Sequence, residues 1–107
     1  MKICIALACA LIPAFALAQS EDEFDRGYRL AAKKGCFDCH ALGTDYVGPS
    51  FRAIAERYRL QPESRTQVAD VIRSGSRGHW GERFNMWPQV NFTPDELTRL
   101  VNWVLMQ

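Results

Sequence analysis

The sequence KKGCFDCHALG, residues 33–43, contains two cysteines three positions apart and a histidine directly after the second. These residues are Cys36, Cys39 and His40. Two thiols and an imidazole in one short stretch are typical of a metal site, a redox pair, a disulfide or a cofactor attachment. No serine–histidine–acid set, phosphate-binding loop or carboxylate pair elsewhere in the sequence competes with this cluster. We therefore expect the chemistry of the protein to depend on it.

Four kinds of site are compatible with this spacing. A disulfide would close a very short loop and would stabilise the fold weakly. A thioredoxin-like pair is expected in a βαβ unit, which the sequence does not predict. A zinc site needs four ligands, and His79 is almost the only candidate left to complete one. The pattern C-x-x-C-H is also the attachment motif of covalent haem, in which a helical turn spaces the two sulfurs and the histidine faces the iron, and the sequence favours this interpretation.

Residues 1–18 have the pattern of a secretory signal peptide. Lys2 supplies the positive start, a short apolar run follows, and residues 16–18 form a small-residue cleavage site. The run is shorter than the roughly 20 residues of a membrane-spanning helix. We therefore expect a periplasmic protein of residues 19–107 that has no membrane span after processing.

Residues 19–107 are expected to form one small domain, of a size that often depends on a disulfide, a metal or a cofactor. Without Lys2, the chain has 12 basic and 12 acidic residues, so its formal charge is zero. Residues 46–83 nevertheless carry seven arginines against four acidic residues. This composition does not indicate a nucleic-acid-binding protein.

The sequence patterns predict helices and no convincing strand, and therefore an all-α fold. Capping boxes, in which a hydroxyl and a Glu or Gln satisfy free backbone amides, predict helix starts at Ser20, Ser64 and Thr93. Apolar spacing predicts a further helix over residues 49–58, and Gly75 is expected to end the helix that begins at Ser64. In the first helix, Phe24, Tyr28 and Ala31 are expected to share one face. The side chains expected to face inward in the other helices are Phe51, Ile54, Ala55, Tyr58, Val68, Val71, Ile72, Leu97, Leu100, Val101 and Val104.

Residues 74–92 have no helical or strand periodicity, although they contain two tryptophans, two phenylalanines and a methionine. Loops of this length are usually functional or disordered, and so many apolar groups need something to pack on. A haem would provide that surface. Met86 is then the candidate for the second axial ligand, because a thioether opposite a histidine raises the reduction potential of haem iron. His79 is the second candidate, and the alternative for Met86 is a gap-filling core residue.

Several short motifs occur along the chain in a fixed order: GCFDCH at 35–40, VGP at 47–49, GSRGHWG at 75–81, Met86 with Pro88, and WVL at 103–105. With these motifs the chain resembles a class I cytochrome c of the short bacterial cytochrome c-551/c-552 type. The resemblance covers essentially all of residues 19–107. It implies a class I cytochrome c fold, with about four helices around one covalently attached haem c.

The resemblance also implies roles for individual residues. Cys36 and Cys39 would attach the haem, and His40 and Met86 would be the axial ligands of its iron. The carbonyl of Pro49 would accept a hydrogen bond from Nδ1 of His40, an interaction that fixes the tautomer of a ligating histidine.

Two further roles concern aromatic residues. The indole N–H of Trp80 would contact a haem propionate, although Trp80 is also readable as a loop aromatic that packs on the core. Gly27 would let the first helix approach the last at Trp103, although a glycine at this position is also simply unfavourable for a helix.

The sequence departs from the family pattern at three places. The segment WGERFNM, residues 80–86, is one residue longer than usual. Trp87 occupies the first of two positions that are normally proline. Val71 occupies the position of an arginine that contacts the propionates, and Arg73 and Arg77 are candidates to replace it.

These observations predict a soluble, monomeric monohaem electron carrier rather than an enzyme. Electrons would pass by outer-sphere transfer to an unidentified donor and acceptor, with nitrite reductases and terminal oxidases as examples served by similar proteins. Arg77 and Arg83 are expected to steer an acidic partner, unless the arginines are only a solvated surface. The alternatives are a cytochrome subunit held in a periplasmic oxidoreductase complex, and a gas sensor or enzyme with an open sixth iron position.

Overall fold

The computed structural model describes residues 14–107, with side chains from residue 21 onward, so that most of the predicted signal peptide lies outside the described residues. Four α-helices and a small sheet make up this part of the chain, and the predicted mostly helical fold is confirmed. The elements are α1 (Ala14–Lys33), a short 3-10 helix (Cys36–Asp38), α2 (Phe51–Tyr58), α3 (Ser64–Ser74), β1 (Ser76–Gly78), β2 (Gly81–Met86) and α4 (Pro94–Leu105).

Polar caps define the starts of α2 and α4. At α4, the Thr93 hydroxyl accepts the Glu96 N–H at 3.2 Å, and the Glu96 carboxylate accepts the Thr93 N–H at 3.0 Å. This is the predicted capping box. At α2, the hydroxyl oxygen of Ser50 accepts the N–H of Ala53 at 3.0 Å, so the helix begins slightly later than predicted.

The predicted helix start at Ser64 is confirmed, but its capping box is not observed, and the predicted start at Ser20 is wrong. Ser64 is the first residue of α3 and not its cap, because its own N–H already donates to the carbonyl of Gln61, and the chain turns before the helix begins. The helix α1 passes through Ser20 from Ala14, since the preceding residues are good helix formers and continue the helix upstream. The predicted end of α3 at Gly75 is confirmed.

The prediction that the chain contains no strand is also wrong. Strands β1 and β2 form an antiparallel hairpin, in which Ser76 lies opposite Met86 and Gly78 lies opposite Gly81. Both glycines have positive φ, 73° and 75°, and this backbone conformation makes the tight turn possible. The hairpin escaped prediction because β1 is only three residues long and the pairing is irregular, so no period of two develops.

The core forms where α1 crosses α4. Trp103 is fully buried there, and the rings of Phe24, Tyr28, Phe37 and Phe51 surround it with centroid distances between 4.9 and 6.2 Å. The residues expected to face inward in α2, α3 and α4 are buried or half-buried, whereas in α1 Ala31 is buried and Phe24 and Tyr28 are 37% and 43% exposed. Within the described residues, no helix has both the length and the apolar character needed to cross a membrane.

Gly27 makes the crossing of α1 and α4 possible, as predicted. A Cβ at this position would lie 2.6 Å from Cδ1 of Trp103, well inside van der Waals contact. Since Trp103 is itself enclosed by aromatic rings, it has no room to move away.

Replacing Gly27 by alanine should therefore destabilise the protein, although the same change in an exposed helix is favourable by about 1 kcal/mol. We expect a loss of about 1–3 kcal/mol in the free energy of unfolding, typical of overpacking in a core. Urea denaturation of the purified protein measures this change. Gly43→Ala is the matched control, because its Cβ would meet only the mobile end of Arg52 at 3.3 Å. Equal stability of the two variants would contradict the proposed close contact.

Candidate functional site

The cysteine cluster lies directly after α1, on a turn made by Gly35. This residue has φ of 77°, in the left-handed region, and the chain then forms the short 3-10 helix that carries Cys36. The N–H of His40 donates to the carbonyl of Cys36 at 3.0 Å, so the two cysteines and the histidine span about one turn. Cys36 is half-buried, Cys39 is exposed, and both thiols are free.

The environment of Cys36 does not favour a redox-active thiol. Burial raises the pKa of Cys36 to about 11, and the charge of Asp38 acts in the same direction. Reactive cysteines instead have a lowered pKa, because the thiolate is the nucleophile. The thioredoxin-like interpretation therefore finds no support in the electrostatics of the site.

The imidazole of His40 is held in one orientation by its neighbours. Nδ1 donates a hydrogen bond to the carbonyl of Pro49 at 2.6 Å. A Cβ on Gly48 would lie 2.8 Å from Cε1 of the ring, so only glycine leaves room for the imidazole. Phe51 packs on the ring with a centroid distance of 5.1 Å. With Nδ1 protonated and bonded, the lone pair of Nε2 remains available to a metal.

His40 and both cysteines line a cavity of about 390 Å³. Met86 and Trp80 line the same cavity, so the structure brings the sequence-predicted site residues together. No Lys, Arg, Asp or Glu is among its lining residues. The apolar side chains of its walls are Val47, Phe51, Ile54, Val68, Val71, Ile72, Phe84, Trp87, Phe92, Leu100 and Val104. Such a pocket suits a large apolar ligand whose polar contacts are few.

The segment that carries Met86 is tied to the end of α3. A Cβ on Gly75 would lie 2.5 Å from the Met86 carbonyl oxygen, and the positive φ of 80° at Gly75 also disfavours other residues. The N–H of Gln89 donates to the carbonyl of Ile72 at 2.8 Å. Met86 is thus fixed from both sides, although the segment before it is longer than the family pattern.

Trp80 lies at the tip of the hairpin, where Arg57 of α2 covers it. The guanidinium carbon of Arg57 is 4.5 Å from the centre of the indole ring, and Nη1 donates to the carbonyl of His79. His79 itself is exposed and does not line the cavity, and its Nδ1 lies 3.0 Å from the hydroxyl of Ser76 in a hydrogen bond. Arg57 was missed in the sequence because its helical position predicts a solvent-facing residue.

The arginines considered as replacements at the Val71 position lie away from the cavity. Val71 lines the cavity wall, so an apolar side chain occupies this place. Arg73 forms an exposed ion pair with Asp70 at 2.8 Å. Arg77 is exposed on β1, and neither arginine is among the lining residues.

Lys34 joins the attachment segment to the chain that follows Met86, and no sequence pattern indicated it. Its ammonium donates to the carbonyl of Asn91, pairs with the Glu96 carboxylate at 3.1 Å and lies 5.1 Å from the centre of the Phe92 ring. Its side chain is only 18% exposed. Because Lys34 directly precedes the turn at Gly35, it holds the start of α4 against the cysteine cluster.

A zinc site is not supported by this arrangement, since His79 lies outside the cavity that the cysteines line. Among residues 14–107, the structure brings together no group of three or more His, Cys, Asp or Glu side chains that could bind a metal. A C-x-x-C-H segment on the wall of an apolar cavity, with a free Nε2 on the histidine, instead defines a c-type haem-binding protein.

Comparisons with known proteins agree with this class. The family model described as Cytochrome c matches residues 24–107. Cytochrome c-552 of Nitrosomonas europaea is 37% identical over 71% of this chain and 73% of its own length. Cytochrome c-551 of Pseudomonas aeruginosa is 37% identical over 73% of each chain. The crystal structure of the Nitrosomonas europaea protein matches with a TM-score of 0.68 and 36% identity, and covers 73% of this chain and 95% of that one.

This chain therefore belongs to the cytochrome c family, and the predicted resemblance to short class I bacterial cytochromes c is confirmed. One haem c is attached covalently through the pair Cys36 and Cys39. The protein transfers electrons and is not an enzyme.

The contacts of Glu96 predict how stability depends on pH. The hydrogen bond from the Thr93 N–H, and then the contact with Lys34, lower the pKa of Glu96 below its ordinary value of 4.5. The unfolded chain binds this proton more readily, so the contribution is complete above about pH 4.5 and disappears as the pH falls through the folded-state pKa.

We expect Glu96→Gln to abolish this contribution and Lys34→Met to reduce it, because the hydrogen bond from Thr93 remains in the second variant. Chemical denaturation of the haem-loaded protein between about pH 3 and 7 measures the effect, with both variants flatter than the wild type. Asp95→Asn, which changes the neighbouring carboxylate, is the control. Parallel pH profiles for the wild type and Glu96→Gln would refute the role of this carboxylate.

Proposed function

We propose that the protein is a periplasmic electron carrier whose haem iron is ligated by His40 and Met86. The observation that supports this most is that both side chains line one apolar cavity beside the attachment cysteines. The bound haem supplies an iron that alternates between the ferric and ferrous states. With His40 and Met86 both bound to the iron, electron transfer would need no substrate on the metal.

The surroundings of His40 suit an axial ligand. Donation from Nδ1 to Pro49 fixes the tautomer that leaves Nε2 unprotonated, and it increases the basicity of the ring. Phe51 packs on the ring, and Gly48 leaves the space that the ring occupies. A fixed ligand lowers the reorganisation that accompanies each change of iron charge.

Met86 is favoured as the second ligand over His79. Met86 lines the cavity, while the ring of His79 is exposed and engaged with Ser76. A thioether ligand stabilises ferrous iron and raises the reduction potential. The apolar cavity wall acts in the same direction, because a dry environment disfavours the additional charge of the ferric state.

The proposal includes export of the protein to the periplasm and removal of its signal peptide. Residues 1–18 have the features of a cleaved signal peptide, and the mature protein would begin at Gln19. The intact mass of the exported protein, compared with the mass of residues 19–107 plus one haem, tests cleavage and attachment together. A mass equal to the bare chain would refute the haem site, and one that includes residues 1–18 would refute the cleavage.

The redox partner would dock at the mouth of the cavity. Val47 and Trp87 line the cavity and are 53% and 77% exposed. Apolar surface therefore borders the cavity on the segment that carries Val47 and on the segment that carries Trp87. Small electron carriers commonly combine such a patch with surrounding charge that steers the encounter. Arg83 is the first candidate for steering, because its guanidinium lies 4.8 Å from the ring centre of Phe84, a lining residue. The donor and acceptor are redox proteins that carry acidic surface.

Replacement of Met86 tests the ligand assignment. We expect Met86→Ala to open the sixth position, so that ferrous protein binds carbon monoxide, ferric protein loses the red-end absorption band of sulfur ligation, and the reduction potential falls. His79→Ala should retain the band and exclude carbon monoxide. Loss of the band in His79→Ala, but not in Met86→Ala, would reverse the assignment. Carbon monoxide binding by the wild type would instead favour the open-site alternative.

Charge reversal at Arg83 tests the docking surface. The partner-reduction rate of the wild type should decrease as ionic strength rises from about 0.01 to 0.15 M, because the screening length falls from roughly 30 to 8 Å. Arg83→Glu should slow association on the order of tenfold at low salt. Arg65→Glu on α3, where Arg65 contacts Asn102, is the control. Rates that respond to neither salt nor Arg83→Glu would exclude electrostatic steering.

A further inference from the structure

The cavity has no cation on its wall, yet haem brings two carboxylates. No lining residue is a lysine or an arginine, and Val71 presents an apolar side chain. Carboxylates moved near a low-dielectric wall are costly unless a cation or hydrogen-bond donors compensate them. A positive side chain directly behind the lining residues would supply such compensation.

Two of the candidate cations are already paired with carboxylates. Lys34 is paired with Glu96, and Arg73 is paired with Asp70. Among the described residues, Arg57 and Arg83 lie over cavity aromatics and make no ion pair with a carboxylate. Their charges are therefore available to an anion in the cavity mouth.

Arg57 is also held in place by the residues that line the cavity. Its guanidinium carbon lies 4.5 Å from the ring centre of Trp80 and 5.5 Å from that of Tyr58, and both rings line the cavity. One N–H is used by the carbonyl of His79, and a guanidinium has five such donors. Arg83 lies over Phe84 alone, and both arginines are exposed. Two aromatic contacts and a backbone hydrogen bond make Arg57 the better fixed of the two.

We propose that Arg57 is the cation that compensates the haem propionates, and that it positions the indole of Trp80 toward them. This proposal deepens the proposed electron-carrier function and rests on it. Val71 is apolar and Arg73 is already paired, so Arg57 supplies the positive charge that neither of them provides. The planar guanidinium stacks on the indole, and its positive charge remains close to the haem.

The charge of Arg57 has a defined effect on the iron. The ferric haem carries one more positive charge than the ferrous haem, so a nearby cation disfavours the oxidised form and raises the reduction potential. Arg57→Gln removes the charge and keeps a side chain of similar shape. Arg57→Lys keeps the charge and loses the planar stack, so the two variants separate charge from positioning.

The experiment compares the potentials of haem-loaded wild type, Arg57→Gln, Arg57→Lys and the control Arg73→Gln. We expect a lower potential in Arg57→Gln, a potential near the wild type in Arg57→Lys, and no change in Arg73→Gln. The indole N–H resonance of Trp80 should shift in both Arg57 variants and stay in place in the control. In the wild-type ferric protein, which requires no variant, the guanidinium protons of Arg57 should show a larger paramagnetic shift than those of Arg73.

Several results would overturn the proposal. A fully haem-loaded Arg57→Gln with the wild-type potential would exclude Arg57 and leave the electron-carrier function intact. An equal fall in Arg57→Gln and Arg57→Lys would exclude the charge as the cause, and an equal fall in Arg73→Gln would reveal a general surface effect. Absence of a paramagnetic shift at Arg57 would refute its closeness to the haem. A wild-type protein without covalent haem would remove this proposal together with the proposed function.

Discussion

The close approach of α1 and α4 at Gly27 and Trp103 is the contact on which the rest of this structure depends. Because α1 is seated there, its C-terminal end and the 3-10 helix that follows have a fixed position. Phe37, which lies between the two attachment cysteines, packs on Trp103 with a centroid distance of 6.1 Å. The haem-binding segment is thus joined to the core by an aromatic contact within its own motif.

The charged side chains near the haem cavity lie behind its lining residues and not on its wall. The cavity wall contains no charged side chain, but four of its aromatic residues are covered from outside by cations. Lys34 lies over Phe92, Arg57 over Tyr58 and Trp80, and Arg83 over Phe84. This arrangement leaves the cavity surface apolar, which favours ferrous iron, and still provides positive potential near its edge.

The residues that the sequence assigned to the site line one cavity, and the patterns that indicated them are local. The C-x-x-C-H motif, the capping box at Thr93 and the spacing along α4 depend on residues within one or two turns of each other. Lys34 contacts a residue 57 positions away in the sequence, and Arg57 contacts one 22 positions away. No local sequence pattern indicates such pairs. The hairpin was missed for another reason, since its pairing is too short and irregular to alternate.

The irregular pairing of the hairpin separates the length of β2 from the position of Met86. β2 pairs with β1 through Gly78 and Gly81 at one end and through Ser76 and Met86 at the other. Between these two pairs, β2 advances by five residues and β1 by only two. Beyond Met86, the bond between Gln89 and Ile72 fixes the chain again. A residue inserted or deleted between these two pairs would change the bulge and leave both pairs in place. Evolution is therefore free to vary the outer surface of this segment, and with it the partner that the protein meets, while the methionine keeps its place.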